Sequence, residues 1–148
     1  MKTTFFIALG VIAILLMSLQ FKESNTNRGE ENKGIVFHQG TWKEIFQIAK
    51  KENKIIFLDV YASWCGPCKM LKRNTFSNEE VGTFYNEKFI NYAIDGELGE
   101  GPELAKKYKV SGYPTLLFIR PDGSVLTSTA GYHNVEQFLE LGNSVSSK

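Results

Sequence analysis

The chain has 148 residues, 43% of them hydrophobic and 22% charged, with a formal net charge of +1. That is ordinary globular composition, and the near-neutral balance leaves no basic footprint for nucleic acid and no acidic tail. With only two cysteines and two histidines, there is little material for a multi-ligand metal site.

Lys2 precedes an apolar run from Phe5 to Met17, the length of a secretory h-region rather than of a full membrane span. Ser18-Leu19-Gln20-Phe21 extends the apolar character, and no small-x-small cleavage site follows. A helix from Phe5 to Phe21 would reach about 26 Å, just short of the ~30 Å hydrocarbon core. Residues 1–21 are therefore read as a signal peptide or an uncleaved N-terminal membrane anchor. Both place the rest of the chain outside the cytoplasm, in a periplasmic or other extracytoplasmic space, tethered to the inner membrane if the anchor is kept. Residues 22–34 (KESNTNRGEENKG) contain no apolar side chain and read as a flexible linker. Residues 35–148 are long enough for one domain with its own core.

Within that domain the elements alternate. Ile35-Val36-Phe37 is a short strand candidate. Thr41 and Glu44 form a capping box that opens a helix bearing Trp42, Ile45, Phe46 and Ala49 on one face. Ile55–Tyr61 (IIFLDVY) is apolar except for Asp59, the pattern of a strand buried on both faces. A helix is expected from about Cys65 to Asn74. Ser77 with Glu80 suggests a second capping box, followed by helical Val81, Phe84 and Tyr85. Phe89–Ile94 is a strand, Pro102–Tyr108 a short helix and Thr115–Ile119 a third core strand. Arg120-Pro121-Asp122-Gly123 turns the chain into a polar edge strand, Ser124–Thr129. Asn134 with Gln137 caps a last helix carrying Val135, Phe138 and Leu139. The alternation implies an α/β domain with a parallel core and an antiparallel hairpin at one side.

The chemistry concentrates in Trp64-Cys65-Gly66-Pro67-Cys68-Lys69, between a buried strand and a helix. A thiol at a helix N-terminus meets free backbone N–H groups and the positive end of the macrodipole, both of which stabilise thiolate. Such cysteines fall from a pKa of ~8.5 to ~3.5–7.5, and the thiolate is the nucleophile. Cys68 is one turn further on, placed to attack a mixed disulfide at Cys65. Pro67 suits the first turn, where its missing N–H costs nothing. A structural disulfide closing so small a loop would stabilise little. A zinc site needs two more ligands, and only His38 and His133 remain, so no metal is expected. Haem attachment needs a histidine where Lys69 stands. Redox exchange is the reading that remains strongest, and it requires no cofactor.

The run from Asp59 through Lys69, with Gly112-Tyr113-Pro114-Thr115 before a strand, resembles the thioredoxin family over about residues 35–145. Asn74-Thr75-Phe76-Ser77-Asn78-Glu79-Glu80-Val81 is more narrowly similar to the C-terminal domain of DsbD-type membrane reductases. The resemblance implies the thioredoxin fold, a mixed central sheet flanked by helices. It implies that Cys65 and Cys68 form the redox-active disulfide and that Asp59 is a catalytic carboxylate that helps deprotonate Cys68. It implies a cis bond at Pro114 and a substrate surface made by Trp64, Gly66, Pro67, Tyr113, Pro114 and Gly131. Gly131 would leave room beside the site, or simply serve a turn. One departure concerns the lysine that thioredoxins carry near the buried acid on the next strand, where this chain has Asn91. Another is the Gly-Pro spacer, which DsbD domains often lack.

The function expected is that of an exported thiol–disulfide oxidoreductase reducing disulfides of extracytoplasmic proteins. Its partners would be disulfide-containing exported proteins and a membrane or thioredoxin-type electron donor, and it would act as a monomer. An oxidant or isomerase would use the same residues at a higher potential, ~−120 mV for DsbA against ~−270 mV for thioredoxin. A redox-inert adaptor using the Tyr113–Pro114 groove is the reading from another class. His38 and His133 are expected at surface or turn positions, with His133 following Gly131-Tyr132 and a candidate for the edge of the groove; Lys50-Lys51 and Lys106-Lys107 are expected on solvated helix faces.

Overall fold

Asp59 ends up inside the molecule because the strand that carries it is paired on both edges. The computed structural model describes residues 33–147, so the targeting segment and all but the end of the expected linker lie outside the described residues. The elements are α1 (Trp42–Glu52), β1 (Ile55–Tyr61), α2 (Gly66–Leu71), a π-helical turn (Lys72–Phe76), α3 (Glu79–Lys88), β2 (Phe89–Asp95), α4 (Gly101–Lys107), β3 (Thr115–Ile119), β4 (Val125–Ala130) and α5 (Val135–Ser146). The sheet runs β2-β1-β3-β4. β1 and β2 are parallel, whereas β3 lies antiparallel to β1 and β4 antiparallel to β3. The expected parallel core is thus a single parallel pair within a mixed sheet.

The two faces of β1 feed two apolar layers. Ile56, Leu58 and Val60 pack with Ile45 and Ala49 of α1 and with Leu117 and Ile119 of β3. Phe57, on the opposite face, packs with Leu71, Phe76, Tyr85, Leu116, Phe118 and Phe138. Tyr85 stacks on Phe138 with centroids 4.2 Å apart, and its hydroxyl donates to the Phe138 carbonyl at 2.8 Å. Filling the second layer with aromatic rings anchors α3 and α5, each ring contributing on the order of 2 kcal/mol on burial. Asp59 shares this aromatic face, two residues along from Phe57.

The capping boxes at Thr41/Glu44 and Asn134/Gln137 both form. The one expected at Ser77/Glu80 does not. Asn78 is the N-cap, accepting from the Glu80 and Val81 amides, while the Ser77 hydroxyl turns back to the Arg73 carbonyl. The helix expected over 65–74 stops being α-helical at Leu71 and widens into the π turn. That extra width brings both Thr75 and Phe76 inward, where the Thr75 hydroxyl donates to the His133 carbonyl at 2.7 Å.

Residues 35–37 are not a strand. Their neighbours divide among several elements: Ile35 N–H donates to the Phe76 carbonyl, Val36 N–H to the Asn86 side chain and His38 N–H to the Asn91 carbonyl. No single edge accepts two in succession, so no ladder forms. Gly34, expected in the linker, is buried against Phe76, Ser77 and Gly82, an approach that a Cβ on either glycine would block. Residues 34–39 therefore form a strap across the α2 side of the sheet.

Candidate active site

Cys65 follows the end of β1 by four residues and is the N-cap of α2, with extended backbone angles (φ −69°, ψ 114°). Its Sγ accepts the Cys68 N–H at 3.1 Å, occupying one of the donors that a helix start leaves free. Gly66 and Pro67 form the first turn. Cys65 and Cys68 are joined as a disulfide with their Cα atoms 5.3 Å apart. Both are enclosed in this oxidised state, Cys65 at 2% exposure and Cys68 at 7%. Ala62, Tyr61 and Tyr113 pack around the pair.

Three elements converge on this turn. The Tyr113–Pro114 bond is cis, and Tyr113 stands edge-on to Trp64 with centroids 6.1 Å apart. Gly131 N–H donates to the Pro114 carbonyl at 2.9 Å, which ties the start of the loop after β4 to the cis-proline loop. Gly131 has φ +90° and open space where a Cβ would lie. Its backbone conformation is one that glycine adopts without strain. Gly66 likewise faces open space.

Trp64 is 66% exposed and donates its Nε1–H to Glu97 at 3.0 Å. Leu98, the next residue, is 65% exposed. Burial first, and then the Glu97 and Asp95 carboxylates, hold the Tyr113 phenol above its ordinary pKa. The loop 95–100 was not among the residues singled out from sequence. Its signal there was only an acid-rich, glycine-interrupted stretch, which reads as any solvated loop. His133 Nδ1 lies 3.1 Å from the Gly131 carbonyl.

Asp59 is 6% exposed, paired in register with Ala93 of β2 and Leu116 of β3. Its Oδ1 has no hydrogen-bond partner among the described residues. Burial, only partly offset by Lys72, raises its pKa from 3.8 to about 7. Asp59 and Cys68 share the wall of a cavity of about 700 Å³ closed on one side by the strap. Asn91 is also buried on this side of the sheet, but its Nδ2 is committed to Asn86 and Val36 rather than to Asp59. The arrangement can form a thiolate at Cys65 and accept a proton near Cys68. Among the described residues no three His, Cys, Asp or Glu side chains gather to hold a metal ion.

The model of the thioredoxin-like domain family matches residues 42–146. The chain is 39% identical to a candidate disulphide-isomerase from Bacteroides thetaiotaomicron whose solution structure is known. That match covers 78% of this chain and 96% of the other at a TM-score of 0.67. It is 27% identical to the oxidised C-terminal domain of DsbD from Neisseria meningitidis, covering 70% and 90% at a TM-score of 0.60. It is also 32% identical over 96 residues to the thiol:disulfide interchange protein DsbD of Yersinia pestis. That alignment takes in 63% of this chain but spans only 16% of the larger protein.

Proposed function

The chain belongs to the thioredoxin-like domain family, and from that premise we propose that it is an exported protein-disulfide reductase working through Cys65 and Cys68. The Cys65 thiolate attacks a client disulfide, and the client's other sulfur leaves as a thiolate that takes a proton from solvent. Cys68 then gives its proton to Asp59 and attacks Cys65 Sγ, expelling the client's second sulfur. Two electrons pass from the dithiol to the client, and the Cys65–Cys68 disulfide is the product. A separate dithiol protein, membrane-bound or thioredoxin-like, returns the pair to the reduced state. Trp64, Gly66, Pro67, Tyr113, Pro114 and Gly131 form the surface on which an extended client backbone lies, by strand addition at the cis-proline loop. Export rests on the apolar N-terminal run and on the likeness to DsbD.

The reducing direction rests on how little holds the Cys65 sulfur. Among the described residues Cys65 Sγ accepts one N–H, and the Gly-Pro spacer brings no cation. A strong oxidant needs the opposite, a reduced form held down by a heavily stabilised thiolate. The likeness to a candidate disulphide-isomerase favours a second reading, exchange rather than net reduction. Equilibration against thiol buffers of known poise separates the two. A potential below about −220 mV supports the reductase, and one above about −160 mV overturns it in favour of a donor or isomerase. An adaptor that only binds clients would keep its binding and lose nothing in Cys65→Ala.

A further inference from the structure

We propose that Lys72 is a positioning residue for the resolving step, the cation that sets when Asp59 can accept the Cys68 proton, acting across the cavity behind the disulfide. The inference rests on the role given to Asp59 above. Its geometry comes from the helix: Cys68 and Lys72 are four residues apart, one above the other on the same face, and both line the cavity that Asp59 enters. Lys72 begins the π turn that folds Thr75 and Phe76 inward, while its own side chain stays exposed at the rim.

The other groups around Asp59 are uncharged apart from Lys69. β2 and β3 meet it with Ala93 and Leu116. The strap contributes Gln39 and apolar side chains, and β1 contributes Tyr61, whose phenol is pushed further from ionising by burial first and then by Asp95 and Asp59. α2 brings Cys68 and Lys69; Lys69 also lines the cavity, but it sits one residue round the helix from Cys68, and the charge that opposes the burial of Asp59 is that of Lys72. A buried carboxylate with an unpartnered oxygen must ionise for resolution to proceed as a base, and one lysine reaching in from solvent lets it do so nearer neutral pH. Because that lysine is exposed, salt weakens it.

The test is a carboxyl-carbon NMR titration of Asp59 in the oxidised full-length chain, from about pH 4 to about pH 10. Lys72→Met is expected to raise the Asp59 midpoint by about 0.5–1 pH unit, and Lys72→Arg to restore it. Raising salt should move the native protein toward the Lys72→Met value, a measurement that needs no variant. Stopped-flow resolution of a trapped mixed disulfide should show the same displacement in its pH profile, absent in an Asp59→Asn background. An unmoved midpoint in Lys72→Met overturns the proposal. So does an equal displacement in Lys72→Arg, because packing rather than charge would then be responsible. Neither result touches the reductase reading, which stands or falls on the potential of the cysteine pair.

Discussion

Replacing Asp59 by Asn should make the oxidised protein more stable, and only above the pH at which the acid ionises in the unfolded chain. In the unfolded chain the carboxyl titrates near its ordinary value of 3.8, and in the folded protein near 7. Between those values the folded state holds a proton that the unfolded state has lost. Stability therefore falls as pH rises from about 4 to about 7 and is level beyond. At about 1.4 kcal/mol per pH unit, the interval amounts to about 4 kcal/mol of destabilisation at alkaline pH. Asn cannot ionise, so the variant escapes that loss.

The assay is urea unfolding of native and Asp59→Asn protein with the disulfide intact, at about pH 4 and about pH 8.5, comparing midpoints at constant m-value. Taking the difference between the two proteins cancels every other titrating group. The gain should be near zero at the acid pH and approach 4 kcal/mol at the alkaline one, as an upper figure. A variant less stable than native at about pH 8.5, or a difference identical at both pH values, would refute the reasoning. The same variant should resolve mixed disulfides more slowly, which separates the stability effect from the chemical one.

Three further outcomes follow from the geometry. Cys68→Ala should accumulate a mixed disulfide between Cys65 and the client, visible on a non-reducing gel, whereas Cys65→Ala should show neither turnover nor adduct. Gly131→Ala should cost about 1–2 kcal/mol by forcing an alanine to φ +90°, although its methyl group meets nothing; native-like stability in thermal unfolding would contradict this. Asn86→Ala removes the bonds to Val36 N–H, the Gly34 carbonyl and Asn91 Nδ2. It should destabilise by about 1–2 kcal/mol and speed hydrogen exchange at the Val36 amide.

Much of the fold could be read from local signals because those signals were physically complete. Ile55–Tyr61 announced a strand buried on both faces, and Thr41/Glu44 and Asn134/Gln137 each carried both halves of a reciprocal cap. Two of the failures share a cause, the satisfaction of backbone groups by residues distant in sequence. Ile35-Val36-Phe37 has strand composition, yet its amides are claimed by Phe76 and Asn86, which no window around residue 36 contains. Antiparallel entry of β3 beside β1 was hidden for the same reason, since strand alternation alone does not distinguish the direction of pairing. Ser77 is a local miss: its backbone is still helical as the π turn ends (φ −79°, ψ −7°), and Asn78 is the first residue with the extended angles an N-cap needs (φ −70°, ψ 135°).

The cysteine pair was legible because its chemistry is local: two thiols and a helix start lie within four residues. Its regulation was not, because charge acts through space. Asp59 and Lys72 are thirteen positions apart, and neither stands out as half of a pair. Only the buried strand on one side and the i, i+4 step from Cys68 on the other bring them to one cavity. A solvated lysine on a helix is ordinarily worth little to stability. Here its partner is a carboxylate that the fold destabilises, so a weak field acts on a group whose midpoint, about 7, already lies within the range where exchange takes place. Small displacements there change the fraction of ionised Asp59 several-fold, while the same displacement of an acid titrating near 4 would change nothing at neutral pH. Burial therefore makes Asp59 responsive, and the position of Lys72 decides the pH at which that response falls.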